Sequence, residues 1–472
     1  MANLHTVEKI GGTSMSRFGE LMDNILIGKR TGADLYNRIF VVSAYGGVTN
    51  ALLENKKTAE PGIYGSFAAG DNKAWQKKLE ATRKMMIDIN HGFEDIGLDC
   101  KAADAFVNER IDGVKDCLMH LMQLRSFGHF SGANYLPAAR EMLSSIGEAH
   151  SAFNSALILQ KHGVNAVFVD LSGWKDQETG SMEDTIEQHL TGMDFGTCMP
   201  IVTGYAKCAE GVMAKFDRGY SEITFSKIAV VTQAREGVIH KEFHLSTGDP
   251  KLIGIDKVRT IGHTNFDIAD QLSDMAMEAI HPKASKAMEL HGIPIRVANA
   301  FDPKSPGTLI SREYVSPVPR VDMICGRRDI IAIEVFDPEM VGVPGYDYQL
   351  MSAFAANNVS YIAKNTNANT ITHYVSEKQP GLQNCLAELR KTYPNAEVNT
   401  SAVAIVSVLG SNMKLPGFLS RAAKALAGSE INVLALDQCM RQVNMQFIIE
   451  RRHFEAAQIA LHHEFVENAK EF

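Results

Sequence analysis

The chain lacks long apolar runs, an excess of basic residues and a secretory leader pattern. No apolar run approaches the ~18 residues of a transmembrane helix. Lys and Arg number 47 against 55 Asp and Glu, and the net charge of −8 argues against non-specific nucleic-acid binding. The first residues show no basic segment followed by an apolar one. We therefore expect a cytoplasmic protein with neither a membrane nor a nucleic-acid partner.

Cysteine is scarce, and it never occurs as C-x-x-C. The chain has seven cysteines and 16 histidines, without a metal-binding H-E-x-x-H pair. Scattered cysteines of odd number are typical of reduced thiols, so we predict neither disulfides nor a metal site built from protein ligands. With 472 residues and 45% hydrophobic residues, the chain can form two to four globular domains.

A short strand followed by two glycines opens the chain. Residues 4–10 are typical of a buried strand, and Gly11 and Gly12 allow a tight turn close to a ligand. Thr13, Ser14 and Ser16 are typical N-cap residues, and the helical spacing of the apolar residues at 18, 21, 22 and 25 predicts a helix after them. Backbone N–H groups at such a turn attract phosphate, and Lys9 adds a positive charge. The pattern predicts an anion site, although a plain strand-to-helix turn would explain it as well.

A second small-residue turn follows another buried strand. Residues 39–42 are entirely apolar, and residues 43–50 contain Ser43, Ala44 and Thr49 around a glycine pair. Open α/β sheets bind ligands at the carboxyl ends of their strands, which favours a binding role over a plain loop.

The next hundred residues, from about 50 to 160, have helical periodicity, and Glu148 follows Gly147 within them. Further strands are predicted at 166–170 and 199–205. By itself, Glu148 would be interpreted as a solvated residue of a helix.

Five motifs, taken in order, resemble the aspartokinases of the amino-acid kinase superfamily. They are Lys-Ile-Gly-Gly-Thr-Ser from Lys9, Ser-Ala-x-x-Gly-Val-Thr-Asn from Ser43, Gly-Glu at 147–148, Arg-Gly-Tyr-Ser-Glu from Arg218, and Asp-Pro-Lys from Asp249. The resemblance runs from Lys9 to the C-terminus. It implies an α/β fold, with a three-layer kinase domain and a mainly parallel central sheet.

The resemblance also implies the site residues. It assigns catalysis to Lys9, Glu148 and Arg218. It implies that L-aspartate contacts Ser43, Ala44, Thr49, Glu148, Arg218 and Ser221. ATP, carrying Mg²⁺, would contact Lys9, Gly11, Gly12, Ser14, Lys241, Asp249 and Lys251.

The chain departs from the family pattern at several positions. Tyr220 replaces a glycine and Glu222 replaces an aspartate. Glu278 stands where the family has a phosphate-contacting lysine, and the Trp-Thr-Asp triplet near Lys241 is missing. These changes keep open a degenerate kinase that acts as an amino-acid sensor.

The last 150 residues contain a repeat. Val-Pro-Gly-Tyr at 343–346 recurs 72 residues later as Leu-Pro-Gly-Phe at 415–418, and we expect the same offset without gaps in the following strands. Each unit is predicted to be a ferredoxin-like βαββαβ module. Two such modules resemble the ACT pair of aspartokinases, although a purely structural dimerisation module would fit as well.

The resemblance implies an effector or dimer region in this pair. Its residues would be Met340, Gly345, Tyr346, Ser360, Tyr361, Gly417 and Gln438. Ser360-Tyr361-Ile362 lacks the aspartate of lysine-sensitive relatives, so lysine inhibition is not expected. We predict a kinase domain over 1–315, ACT modules over 320–395 and 396–472, and a homodimer or homotetramer formed through them.

The predicted function is ATP-dependent phosphorylation of the aspartate β-carboxylate. The alternatives are the sensor and a superfamily kinase for another acidic amino acid. The variants Lys-Ile-Gly-Gly-Thr-Ser-Met and Lys-Glu-Phe-His-Leu-Ser resemble the aspartokinase subset tied to ectoine synthesis.

Overall fold

A computed structural model describes residues 4–127, 129–176, 180–216, 219–275 and 280–468, with the Asn134 side chain left out. Contacts within the chain define two compact units. The first comprises Met1–His244 and Ile280–Arg312, and the second comprises Leu245–Ala279 and Glu313–Phe472. The domain division predicted from the sequence placed 245–279 with the kinase domain, whereas this segment packs within the second unit.

The first unit is a three-layer α/β structure. Its strands lie in the order β3-β4-β2-β1-β5-β7-β8, all parallel except β8, which runs antiparallel to β7. They span β1 Thr6–Ile10, β2 Arg38–Val42, β3 Ala166–Val169, β4 Met199–Thr203, β5 Glu236–Lys241, β7 Ile295–Asn299 and β8 Thr308–Ser311. Strand β2 is buried along its whole length, as parallel strands covered on both faces are.

The helices of the first unit confirm the predicted helical region. They are α1 Gly12–Met15, α2 Phe18–Leu21, α3 Val48–Leu52, α4 Ile63–Ala68, α5 Asn72–His91, α6 Cys100–Arg125, α7 Gly132–Lys161, α8 Met182–Leu190, α9 Val212–Phe216, α10 Tyr220–Val231 and α13 Pro282–Leu290. The helix predicted from the apolar residues at 18, 21, 22 and 25 is confirmed, as α2 continued by a π turn at Met22–Leu26, and the separate short helix α1 precedes it. Gly19 lies inside this stretch, and glycine weakens helices.

The second unit contains a six-stranded antiparallel sheet in the order β10-β11-β9-β12-β14-β13. These strands are β9 Met323–Phe336, β10 Tyr361–Thr366, β11 Thr370–Ser376, β12 Glu397–Leu409, β13 Val433–Asp437 and β14 Asn444–Glu450. The short strand β6, His263–Asn265, belongs to the second unit but not to this sheet. Its helices are α11 Pro250–Ile253, α12 Phe266–Asp274, α14 Tyr346–Ala356, α15 Leu382–Thr392, α16 Phe418–Gly428 and α17 Phe454–His462. Two ferredoxin-like modules thus share one sheet.

The repeat holds with one correction. Helices α14 and α16 begin 72 residues apart, at Tyr346 and Phe418. In the hairpins, however, Lys364 pairs with His373 whereas Leu436 pairs with Phe447, an offset of 74 residues in the later strand. The gap-free offset predicted for this strand is therefore wrong, because the second hairpin has a longer connection. A shift of two residues keeps each side chain on the same face of the sheet.

The remaining predictions about chain class concern cysteines and membranes. All seven cysteines are free thiols, which confirms the absence of disulfides. Within the described residues, no helix combines the length and apolar character required to cross a membrane.

Candidate active site

Lys9 lies over the glycine turn at the carboxyl end of β1. Its Nζ is 4.0 Å from the position that a Cβ on Gly11 would occupy. A Cβ on Gly12 would lie 2.4 Å from the Ala44 carbonyl oxygen, so the turn can pass the second loop only as glycine. The two small-residue turns predicted from the sequence therefore meet at one edge of the sheet.

Glu222 links two lysines from adjacent strands. Its Oε1 lies 3.5 Å from Lys9 Nζ and 3.6 Å from Lys241 Nζ, while its Oε2 accepts a hydrogen bond from the His281 N–H at 2.5 Å. Glu222 is in the first turn of α10, whose residues pack on β1 and β5. Burial alone would raise the pKa of the Glu222 carboxyl, but Lys9 and Lys241 hold the pKa below its usual value. The result is a pair of ammonium groups around one ionised carboxylate.

Glu148 is a second buried carboxyl group, on α7. Its side chain accepts a hydrogen bond from Ser221 Oγ at 2.6 Å, and its Oε2 has no hydrogen bond of ordinary geometry among the described residues. Burial raises the pKa of Glu148 to about 8, against the opposing effects of Ser221, Lys9 and the backbone groups of Ala44 and Tyr205. An incoming cationic group would satisfy the open oxygen and favour the ionised form.

The residues around Glu148 bring the predicted substrate contacts together. Ser43 Oγ lies 3.4 Å from Ser221 Oγ, and the Ser43 carbonyl accepts a hydrogen bond from Ser151 at 2.9 Å. Ala44 is buried, and a Cβ on Gly147 would come within 2.7 Å of its side chain. Thr49 lies half-buried in α3, which begins at the same loop.

Ser14 is buried in α1, and its Oγ donates to Glu242 Oε1 at 3.0 Å. The Ser14 hydroxyl, which was predicted to contact ATP, thus donates its hydrogen bond to Glu242, the residue that follows β5. Any phosphate contact of Ser14 would have to use its backbone N–H.

The remaining predicted residues lie outside the described residues or in the second unit. Arg218 and Glu278 lie outside the described residues. Asp249 and Lys251 belong to the second unit, where the Asp249 carboxylate accepts from the Lys251 N–H at 2.9 Å as the N-cap of α11. Helix capping explains this aspartate without a nucleotide.

The predicted effector region has clear structural roles in the second unit. Met340 is buried in the core of the first module, and Tyr346 Oη donates to Asp337 at 2.7 Å. The Ser360 backbone N–H donates to Gln379 Oε1, and the Ser360 carbonyl accepts from Gln379 Nε2. Tyr361 is 45% exposed and packs edge-on against His373.

The other members of the predicted region lie at chain turns. Gly345 and Gly417 have φ angles of 80° and 110° and precede α14 and α16 at equivalent places. Gln438 lies half-buried in the connection that follows β13.

Sequence reasoning missed three residues that structure this site: Glu222 as the link between lysines, Glu242, and Glu8. Glu8 accepts hydrogen bonds from Arg38 at 2.7 and 3.0 Å and pairs with His240 at 2.7 Å. A signal was present, because a glutamate within a strand buried on both faces needs a charged partner.

The comparisons with known proteins agree with this geometry. Residues 5–299 match the amino acid kinase family and residues 406–465 match the ACT domain. The chain is 48% identical over 465 residues to the aspartate kinase Ask_Ect of Stutzerimonas stutzeri (strain A1501), covering 98% of both proteins. This chain belongs to the amino acid kinase family, among the aspartate kinases with ACT domains.

Two solved structures share the whole fold. Clostridium acetobutylicum aspartate kinase superposes with a TM-score of 0.72 at 17% identity, covering 98% of this chain and 100% of that one. The E. coli aspartokinase III complex with aspartate and ADP gives a TM-score of 0.71 at 19% identity, covering 98% and 99%. At these identities the likeness supports the architecture of both units.

Proposed function

We propose that this protein transfers the γ-phosphoryl group of ATP to the β-carboxylate of L-aspartate. A carboxylate oxygen attacks the γ-phosphorus, the bond to the β-phosphate oxygen breaks, and 4-phospho-L-aspartate and ADP leave. The acceptor is already ionised at pH 7, so the reaction needs no general base. The Stutzerimonas stutzeri relative, named an aspartate kinase, supports this choice of reaction.

The observation that carries the proposal is the pair of lysines beside the glycine turn. Phosphoryl transfer depends on positioning and on stabilising charge at the equatorial oxygens. Lys9 and Lys241 place two ammonium groups at the carboxyl ends of adjacent strands, held apart by Glu222. We assign both lysines to the transferring phosphoryl group, with the N–H groups of Gly11, Gly12 and Ser14 beside them. Magnesium arrives as part of MgATP.

The substrate end of the site is assigned to Glu148. Its open carboxyl oxygen suits the α-ammonium group of aspartate, and Ser221 orients the carboxyl from the other side. Ser43, Ala44 and Thr49 would border the same substrate, and Arg218 would bind its α-carboxylate as a planar fork. The contacts of Asp249 and Lys251 with the nucleotide remain a prediction.

The direct test incubates the purified full chain with MgATP and a panel of acidic amino acids, and traps the acyl phosphate as its hydroxamate. We expect product with L-aspartate and little with glutamate or acetylglutamate. Product only with another acid would keep the family and reject the substrate. A folded protein that makes no product with any acid, yet binds an amino acid in calorimetry, would favour the sensor.

The same assay addresses regulation and pathway. With lysine added we expect an unchanged rate, because Ile362 stands where lysine-sensitive relatives have an aspartate, and threonine is tested singly and together with lysine. The name Ask_Ect of the relative is in keeping with a role in supplying ectoine synthesis. A cytoplasmic location remains a prediction.

A homodimer or homotetramer formed through the ACT pair is also proposed. Large apolar side chains are exposed on the second unit, with Tyr348 77%, Val341 59% and Met440 93% exposed. Exposed apolar surface of this kind favours association with a second copy. Analytical ultracentrifugation of the chain tests this, and a monomer at micromolar concentration would contradict it.

A further inference from the structure

The strand pair β1–β5 carries charged clusters on both of its faces. Successive side chains of a strand point to opposite faces, so Glu8 and Lys9 lie on opposite sides of β1, as His240 and Lys241 do on β5. Lys9 and Lys241 share Glu222 on one face. Glu8 and His240 meet on the other, with His240 Nε2 2.7 Å from Glu8 Oε2.

The cluster of Glu8, His240 and Arg38 on the second face is buried. The side chains of Glu8 and His240 are only 7% and 8% exposed. The Arg38 guanidinium donates bidentate hydrogen bonds to both Glu8 carboxylate oxygens. Thr6 Oγ1 adds a hydrogen bond to Glu8 at 2.9 Å. Arg38 also donates to the carbonyl of Ile25 at 2.9 Å. Each strand therefore has a fixed, buried residue immediately before its lysine.

We propose that Glu8 and His240 are positioning residues, which set the separation of the Lys9 and Lys241 ammonium groups by fixing β1 against β5 from the opposite face. The inference rests on the proposed role of these lysines in phosphoryl transfer. Neither residue touches substrate, so each acts through the lysine that follows it.

The geometry favours this role over general support of the sheet. Backbone pairing sets the register of Glu8 with Val238 and of Ile10 with His240, and the contact between Glu8 and His240 adds a side-chain link at the two positions that precede the lysines. The neighbouring strands β5 and β7 have their ion pair, between Glu236 and Arg296, at the end away from the lysines. A displacement of reacting groups by about 1 Å can lower a rate by about 100-fold.

The test compares His240→Met, which removes the donor to Glu8, with His240→Gln, which can keep an N–H near the Nε2 position. Glu236→Gln is the control, since it breaks an ion pair on the same strand, 2.6 Å long, at the opposite end. Each full-length variant is assayed with saturating MgATP, below its unfolding temperature. We expect His240→Met to lower kcat between about tenfold and 100-fold, with KM for aspartate changed less than about twofold. His240→Gln should recover most of the rate, and Glu236→Gln should keep it.

A second measurement separates positioning from loss of stability. The affinity for ADP with aluminium fluoride, which mimics the transferring phosphoryl group, is compared with the affinity for ADP alone. His240→Met should weaken the first more than the second, because the lysines act at the transferring group. The inference alone would be overturned if His240→Met had the same kcat as wild type and the same ratio of the two affinities, while Lys9→Ala was inactive. An active Lys9→Ala would overturn the proposed role of the lysines, and this inference with it.

Discussion

Glu8 and Glu148 are both buried carboxyl groups of the first unit, and their surroundings are opposite. Glu8 faces Arg38 and His240, which hold its pKa well below the usual range although burial alone would raise it. Glu148 has only the Ser221 hydroxyl, the backbone groups of Ala44 and Tyr205 and a more distant lysine around it among the described residues, and burial raises its pKa to about 8. A buried carboxylate with its own cation stabilises the fold, whereas one without it is prepared for the cation of a ligand.

The largest effect should come from removing Lys9, whose ammonium group influences the pKa of Glu148 and pairs with Glu222. We expect Lys9→Ala to lower kcat by about 1,000-fold, since one lost contact to developing charge costs about 100- to 1,000-fold. KM for aspartate should change far less. Lys227→Ala, on the same helix as Glu222 but paired with Glu183, is the control for steady-state kinetics. Equal losses in both variants would contradict the assignment.

Breaking the partnered carboxylate should cost stability. Glu8→Gln leaves the Arg38 guanidinium buried without its ion pair, and such losses are about 3–5 kcal/mol. Urea unfolding followed by circular dichroism measures the change. A loss below about 1 kcal/mol would show that Glu8 and Arg38 are more weakly coupled than their distances indicate.

Removing the Glu148 carboxyl, which forms no ion pair among the described residues, should weaken substrate binding and not stability. Glu148→Gln should raise KM for aspartate by about 100-fold, because a buried ammonium partner is lost, while leaving KM for ATP nearly unchanged. The ligand-free variant should unfold at the same or higher urea concentration than wild type. If Glu148→Gln lost stability but bound aspartate normally, Glu148 would stabilise the fold as Glu8 does, and the contrast between the two carboxyl groups would be wrong.

The pH dependence of Glu148 follows from its raised pKa. In the folded, ligand-free protein it keeps a proton up to about pH 8, whereas the unfolded chain releases it near 4.5. Its contribution to stability is therefore present below pH 4.5 and is lost as the pH rises to about 8. Aspartate binding needs the ionised form, so its apparent affinity should rise about fivefold from pH 7 to pH 8. Titration calorimetry at both values tests this, and Glu148→Gln should show no such rise.

The smallest effect concerns a buried histidine in the second unit. His373 is fully buried, and neither ring nitrogen has a hydrogen bond among the described residues. Burial together with Lys364 lowers its pKa to about 4, against the opposing effect of Asp347, whose Oδ1 lies 4.0 Å from His373 Nε2. The second module has Phe447 at the equivalent place. Stability should fall as the pH drops from about 6.5 to about 4, since only the unfolded chain binds the proton there.

His373→Phe should remove that pH dependence and stabilise the unit by about 1 kcal/mol at pH 5. Thermal unfolding at pH 5 and pH 8 measures both changes. A destabilised variant would show that the histidine of the first module has a role that the phenylalanine of the second lacks.

The sequence alone was sufficient for the class of fold. Apolar four- and five-residue runs ending in small residues predicted buried parallel strands followed by turns, whereas Glu148 and Ser221 were predicted only through the family resemblance. Local patterns succeed here because burial on both faces of a sheet constrains nearly every residue of a strand. The repeat likewise predicted two modules.

Tertiary structure decided which charges meet. Lys9 meets Glu222 and Lys241 only because β5 lies beside β1 and α10 packs across both strands. Both residues are more than 200 positions from Lys9 along the chain. Glu8 and His240 carry no local pattern that reveals their contact. The segment around Asp249 groups with the second unit for the same reason. Periodicity is a property of neighbours along the chain, whereas the energy of a buried charge depends on whatever the fold brings within a few ångströms.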